Sequence, residues 1–490
     1  MAALLLATAW SYGPFGDEFY YIDCSKNLDF GYVDHPPLVA LIVLIVRNLF
    51  GDSYIWLRAV SALAGALSIL LASRITKKLG GGRFAQTITA LAMVAAPGFW
   101  AIFSFYSMNA LDIVIIALAT IVLIEIMMGG PAQLWLVFGV IAGLGLQNKL
   151  TMLVFAFALL VGLVVTRRRF IMTSIWPFAG GVIAGLIFLP NIIWQVVHGW
   201  PTLEFIRLTQ QYSIYPQSAF GFLWQIILAL NPVVFPLWMG GVLYLLFGKE
   251  GKKFRALGIL SLVFLLTYIL QRSKVYYVFP VIPLLLAGGA IVFERYCERI
   301  KRTWVKAAAI ATIVFTGLIL LPFGLPVVPI EYFIPYSKAI GLVRHVQIHR
   351  GDRIDLPVHF ALKFGWREMV ENVARAFETL SPEERLECII ITNNFSKAGA
   401  INYYRGDYGL PEAISGHNNY RFWVPGNQQL KAAVAIGIDK NFLLQYFHDV
   451  KLFDTHIHPY AATWEVNQEI FVCRNPTVTW SELRQRLKWY

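Results

Sequence analysis

Long apolar runs separated by short polar breaks fill the first two-thirds of the chain. Residues 55–72, 84–103, 111–128, 134–146, 150–165, 171–189, 220–247, 257–270, 278–293 and 304–325 each read as a helix crossing, or nearly crossing, a bilayer. Residues 2–10 are apolar but hold only about half of a span. A signal peptide cut after Ala7-Thr8-Ala9 competes for that stretch; no basic residue precedes it, which favours a shortened first span. Residues 38–49 are too short to cross and read as a helix lying along the membrane or on the bundle. Asn231-Pro232 interrupts the 220–247 run and marks a re-entry. With a complete first span the count is about eleven, amino terminus inside and carboxyl terminus outside.

The pattern changes near Pro326. Short apolar strands at 388–392, 432–438 and 469–473 alternate with helical runs at 366–380, 397–404 and 480–487, as in a small α/β domain. Ser381-Pro382-Glu383-Glu384 carries the residues of a helix start: a capping serine, proline in the first position and a capping-box glutamate. The expected architecture is an α-helical polytopic membrane region, residues 1–325, with an acidic first outer loop at about 11–54, and an extracytoplasmic α/β domain at 326–490.

Composition agrees, with 57% hydrophobic and 14% charged residues among 490. A net charge of +12 would suit nucleic acid, but the basic residues gather between apolar runs: Arg74, Lys77, Lys78 and Arg83; Arg167 to Arg169; Lys249, Lys252, Lys253 and Arg255; Arg295, Arg299, Lys301 and Arg302. These clusters fall on one face of the predicted topology and read as cytoplasmic anchors, so no nucleic-acid partner is expected. The four cysteines have no CxxC spacing, which removes a zinc or redox motif; Cys388 and Cys473 are a candidate disulfide in an oxidising compartment. No G-x-G-x-x-G or Walker loop supports a nucleotide-linked substrate.

The acids stand out against this background. Asp17, Glu18, Asp23, Asp29, Asp34 and His35 crowd one segment before the first long span. Carboxylates beside a bilayer are costly unless a partner or a chemical task retains them. Asp17-Glu18, Asp34-His35-Pro36-Pro37 and the later Asn109-Ala110-Leu111-Asp112 together resemble the GT-C glycosyltransferases. The resemblance is to the bacterial glycosyltransferase family 39 type, alongside protein O-mannosyltransferases, lipid A aminoarabinose transferases and rhizobial galacturonosyltransferases. It covers the membrane region and extends to the outer domain.

The resemblance implies inverting transfer of a sugar from a polyprenyl-phosphate donor to an envelope acceptor outside the cytoplasmic membrane of a bacterium. That acceptor is a lipopolysaccharide or lipid A sugar, another glycan or lipid, or a protein hydroxyl. It puts the catalytic base at Asp17, with Glu18 and Asp112 as further catalytic carboxylates. His35 and Lys149 become phosphate contacts, and Asp34 a candidate ligand for a divalent metal cation. The sequence departs from the aminoarabinose transferases at Asp34-His35, where they carry Phe-Glu-Lys-Pro. Arg58, early in the first long span, and Lys274, ahead of Tyr276 and Tyr277, join as phosphate candidates by position on the outer side.

Each residue has a plainer reading. Asp17 suits a helix N-cap, Asp112 the first turn of a helix, and Lys149 a snorkelling position at the interface. His198-Gly199-Trp200-Pro201 reads as a groove lining or as interfacial anchors, His456-Ile457-His458 as a weak metal pair, and Ser415 to Asn419 as an ordinary turn. The alternative function is a transporter or flippase of a lipid-linked glycan, which predicts repeated halves and charges near the midplane. The chain has one interrupted segment and no repeated half.

Overall fold

The computed structural model describes residues 1–423, 430–479, 482–483 and 486–487. Six helices are long and apolar enough to cross a membrane: Tyr54–Lys78, Met108–Met127, Trp176–Val197, Gly251–Leu270, Val275–Ile300 and Thr303–Gly324. Three bent pairs raise this to nine: Arg83–Val94 with Pro97–Phe103 (66°), Thr151–Val165 with Arg167–Thr173 (112°), and Ala219–Ala229 with Pro232–Phe247 (101°). Pro97 and Pro232 stand at two of the bends, where a residue without an N–H opens a new helix. The bend at Asn231-Pro232 is the expected interruption. The shortfall from about eleven spans lies at Leu134–Asn148 and Ala2–Ala7, whose 15 and 6 residues do not reach across a bilayer.

Hydrogen bonds and ion pairs stitch the basic clusters to one end of the bundle. Lys78 pairs with Glu125 and Arg295 with Glu250. Glu294 accepts from the Gly82 and Ala85 amides at 2.7 and 3.0 Å, and Arg168 donates to the Lys253 carbonyl at 3.2 Å. The stretch 191–218, between two apolar runs, is largely helical. Trp176–Val197 runs straight through Asn191, and Pro201–Leu208 follows a left-handed turn at Trp200.

At the opposite end lies a five-stranded sheet in the order β2-β1-β3-β5-β4, built from β1 (Cys388–Thr392), β2 (Ala413–Ser415), β3 (Ala432–Ile436), β4 (Phe447–His456) and β5 (Gln468–Pro476). The β2, β1 and β3 strands are parallel, whereas β5 and β4 run antiparallel. The apolar runs at 388–392, 432–438 and 469–473 form strands, and the helices Trp366–Glu378 and Phe395–Tyr408 stand where helices were expected. Ser381 and Glu384 close the capping box, with the Ser381 amide 2.8 Å from Glu384 and the Glu384 amide 3.2 Å from the serine hydroxyl. The helix expected at 480–487 falls largely outside the described residues.

Cys388 and Cys473 remain free thiols. Cys388 is registered with Ala432, and Ala433 with Cys473, so β3 separates them by two strand spacings, or about 9–10 Å. That exceeds the reach of a disulfide.

The acidic loop is the element that both regions share. Helix Gly16–Lys26, here the loop helix, contributes Phe19, Tyr20, Tyr21 and Ile22 to one apolar cluster with Val39, Leu57 and Tyr106 below and Trp366, Val370, Ala400 and Tyr420 above. Gly399 and Gly16 permit the approach of helix Phe395–Tyr408: an added Cβ would meet Phe19 at 2.8 Å in one case and the Ser396 hydroxyl at 2.9 Å in the other. Asp23 then bridges upward, 2.6 Å from the Tyr420 hydroxyl and 2.9 Å from the Asn402 amide.

Candidate active site

Phe15 precedes the loop helix and its amide donates to Glu18 at 2.7 Å, so Glu18 performs the capping that Asp17 was weighed for. Asp17 is thereby released. It sits in the first turn with partial access to solvent while its neighbours Glu18, Tyr20 and Tyr21 are buried. Burial pushes its carboxyl up to about 7; the Lys274 charge opposes this, and Asp34 and Glu18 add to it.

Lys274 precedes the short helix Val275–Val281 and brings the next two tyrosines with it. The Lys149 ammonium lies 3.9 Å from the centre of the Tyr277 ring and 5.5 Å from that of Tyr276. It donates to the Asn109 side chain at 2.7 Å and faces Asp112 electrostatically. Asp112 lies beyond the first turn of Met108–Met127, which Ser107 caps, so a dipole-stabilised surface position does not describe it. It is 1% exposed, and neither carboxylate oxygen has a hydrogen-bond partner among the described residues. Electrostatic contacts therefore link Asp17 to Asp34 and Lys274, Lys274 to Lys149 and Lys149 to Asp112, with the Tyr276 and Tyr277 rings beside Lys149.

Three expected site residues turn away from this cluster. Glu18 is fully buried and receives Arg58 in a two-pronged pair at 2.9 and 2.8 Å, together with the amides of Phe15 and Tyr106. Arg58 spends its other donors on the Ala9 and Gly13 carbonyls at 2.5 and 2.8 Å. Both side chains are buried and committed to one another and to the backbone, which corrects the catalytic and phosphate roles expected of them. They brace the loop from behind. His35 is 1% exposed, donates from Nδ1 to the Pro36 carbonyl at 2.8 Å, and directs Nε2 at the Cys24 sulfur 3.8 Å away. Packed among Tyr20, Tyr21 and Tyr32, it does not reach a phosphate; it fixes the turn that presents Asp34.

Asp34 stays partly exposed and accepts the Tyr20 hydroxyl at 2.9 Å. Among the described residues no three His, Cys, Asp or Glu side chains gather where they would hold an ion, His456 and His458 included. Asp34 thus has no all-protein cage for the divalent cation expected there, and no chemical step below passes through one.

The clamps on the loop are not legible in the sequence. Ser415 to Asn419 is a buried clasp rather than a turn: the Asn419 side chain accepts the Val33 amide at 2.6 Å. From the bundle, Trp194 donates to Asp29 at 2.7 Å and Asn191 to the Phe30 carbonyl at 2.9 Å. His198 stacks on Trp194 with ring centres 4.2 Å apart and supports this clamp. The signal was the density of Asn, Trp and His in two segments, legible as polarity but not as contact.

The fold of bundle and sheet domain together recurs in solved structures. ArnT from Cupriavidus metallidurans, bound to undecaprenyl phosphate, superposes with a TM-score of 0.59 over 96% of both chains at 15% identity. The Archaeoglobus fulgidus oligosaccharyltransferase gives 0.51 over 97% of this chain and 75% of that one at 14% identity. At such identities the likeness establishes architecture. The fold is GT-C. A family model described as dolichyl-phosphate-mannose-protein mannosyltransferase matches residues 34–194 of this GT-C protein, the stretch carrying Asp34, Asp112 and Lys149. The lipid A galacturonosyltransferase RgtD of Rhizobium johnstonii is 27% identical over 195 residues, which are 39% of this chain and 40% of that relative.

Proposed function

We propose that this multi-pass GT-C protein transfers a sugar from a polyprenyl phosphate to a hydroxyl of an envelope acceptor, with inversion, on the outer face of a bacterial cytoplasmic membrane. One observation carries the reading: the Asp17 carboxyl holds its proton up to about pH 7 with the Lys274 charge acting on it, and Lys149 in turn faces Lys274. A base with proton affinity near neutrality is matched to deprotonating a hydroxyl. The likeness to a protein bound to undecaprenyl phosphate and the 27% identity to a lipid A galacturonosyltransferase support the donor and acceptor classes.

The proposed reaction is a single displacement. Asp17 takes the acceptor proton as the hydroxyl oxygen bonds to the anomeric carbon. The carbon–oxygen bond to phosphate breaks on the opposite face, and the polyprenyl phosphate leaves with the bonding electron pair. Lys149 and Lys274 face the charge that grows on the departing phosphate, where fixed cations in a dry site contribute most. Tyr276 and Tyr277 wall the site and exclude water. Asp112 and Asn109 hold the Lys149 ammonium in place, and Asp34, tied to Tyr20, shapes the mouth. The basic clusters at the far end of the bundle orient that end inward, leaving site and sheet domain outside.

The deciding experiment compares envelope glycolipids and glycoproteins by mass spectrometry in strains carrying the native protein, a deletion, or equally expressed Asp17→Asn. Loss of the same sugar mass from one component in both altered strains supports transfer and names the acceptor. Full rescue of the deletion by Asp17→Asn removes the base and with it this mechanism. The transporter alternative asks for charge at the midplane, whereas these charges gather at one end beneath the sheet domain.

A further inference from the structure

The span Trp176–Val197 stands at the flank of the bundle, with most of its surface uncovered by protein. Its exposed residues Val182, Leu186, Leu189, Ile193 and Val196 recur every three or four positions, the stripe of a helix that faces lipid. Near its outer end Asn191 and Trp194 are buried instead, and both hold the tip of the acidic loop. Asn191 donates to the Phe30 carbonyl at 2.9 Å, and the Trp194 indole donates to Asp29 at 2.7 Å.

These two contacts set the depth of the tip. Asn191 and Trp194 precede the end of the span at Val197 by six and three residues, or about 9 and 5 Å along the helix axis. Trp200 follows beyond that end, half-exposed, in the place of an interfacial ring. The tip therefore hangs against the side of the span, inward of the level at which the span ends. Gly31 keeps it there: an added Cβ would meet the Trp194 ring at 2.6 Å.

The side chains of the tip match that position. Both oxygens of the Asp29 carboxylate are occupied, one by Trp194 and the other by the Phe30 amide at 2.7 Å, the pairing a charge needs beside a bilayer. Leu28 and Phe30, on either side of it, are 45% and 62% exposed and join none of the apolar clusters of the described residues. We propose that Leu28 and Phe30 are immersed among the acyl chains of outer-leaflet phospholipid, continuing the lipid-facing surface of Trp176–Val197. The loop that carries Asp17 is then seated by the bilayer at its tip and by Asn419 of the sheet domain, which holds the Val33 amide at 2.6 Å. This placement rests on the packing of the loop and is independent of the transfer reaction.

The test photolabels the unaltered full chain in nanodiscs of phosphatidylethanolamine and phosphatidylglycerol that include a phospholipid with a diazirine on its acyl chain. Peptide mass spectrometry should find label at residues 28–30 as at Ile193, and none at Leu386, an exposed residue of the sheet domain. Label at Ile193 without label at 28–30 would overturn the proposal. Loss of label from 28–30 alone on addition of polyprenyl phosphate would also overturn it, because the tip would then line a site for that chain instead of facing bulk lipid.

A second measurement uses Phe30→Cys carrying a nitrobenzoxadiazole dye; the native cysteines are buried, so the dye reports on residue 30. Its emission should lie to the blue of that from labelled Leu386→Cys, resist quenching by iodide, and yield to a spin label on the lipid chain. Emission and iodide quenching equal to those at Leu386→Cys would place the tip in water and remove the proposal.

Discussion

Two neighbouring acids, Asp17 and Glu18, illustrate how burial and partners divide identical chemistry. Glu18 is neutralised by Arg58 and saturated with hydrogen bonds, whereas Asp17 has no hydrogen-bonded side-chain partner among the described residues and keeps partial access to solvent. A pH–rate profile should therefore rise with pH and reach half its plateau near pH 7, because the carboxyl raised to about 7 must lose its proton to act. Lys274 lowers that proton affinity, so Lys274→Gln should move the rising limb to higher pH; Asp34 raises it, so Asp34→Asn should move the limb to lower pH. Equal midpoints in all three proteins would show that Asp17 does not govern the limb. Lys149→Ala should lower kcat/KM by roughly 10²–10³, the cost of one preorganised charge on the leaving group. Arg58→Ala instead strands a buried Glu18 and should destabilise the protein by about 3–5 kcal/mol, read as a lowered melting temperature. Glu18→Gln/Arg58→Met, which removes both charges, should recover part of it.

At the scale of elements, hydrophobic period and turn chemistry made most helices and three of the five strands legible, because those signals are local. The Asn231-Pro232 bend and the Ser381 capping box were readable for the same reason. Roles within the acidic loop were not. Asp17, Glu18, Asp34 and His35 look equally available in the sequence, and only tertiary contacts distinguish them: Arg58 and Tyr106, 40 and 88 positions on, claim Glu18, the loop's own tyrosines enclose His35, and Asn419, 386 positions on, pins Val33. The fit of the loop also depends on absent side chains. A Cβ on Gly31 would meet Trp194 at 2.6 Å and Asn191 at 2.7 Å, the two residues that clamp the loop. Gly31→Ala should therefore displace this clamp and speed amide exchange across residues 27–35, with the distant β1 and β3 strands unaffected. Unchanged exchange in that segment would mean that Trp194 moves aside without cost.

For the whole molecule, the sheet domain works as the roof of the site rather than as an appendage. Its helix Phe395–Tyr408 rests on Phe19, and Tyr420 and Asn402 hold Asp23, so the face of the loop opposite the bundle is ordered from above. The Asp23 contact is nearly free of solvent and joins residues almost four hundred positions apart, and so it forms only when both regions are in place. Tyr420→Phe removes one hydrogen bond to a buried carboxylate, worth about 1.5–3 kcal/mol. Because the apolar cluster remains, this variant should fold, but the roof should lift more often. Protease sensitivity should rise in residues 16–35, and kcat should fall more than KM for the donor changes, since the lysines proposed to meet the donor belong to the bundle and the proposed base belongs to the loop. Asn402→Ala should act in the same direction. If both variants leave cleavage and kcat at native values, the roof is held by apolar packing alone, and the coupling of the sheet domain to Asp17 must run through Gly399 and Phe19 instead.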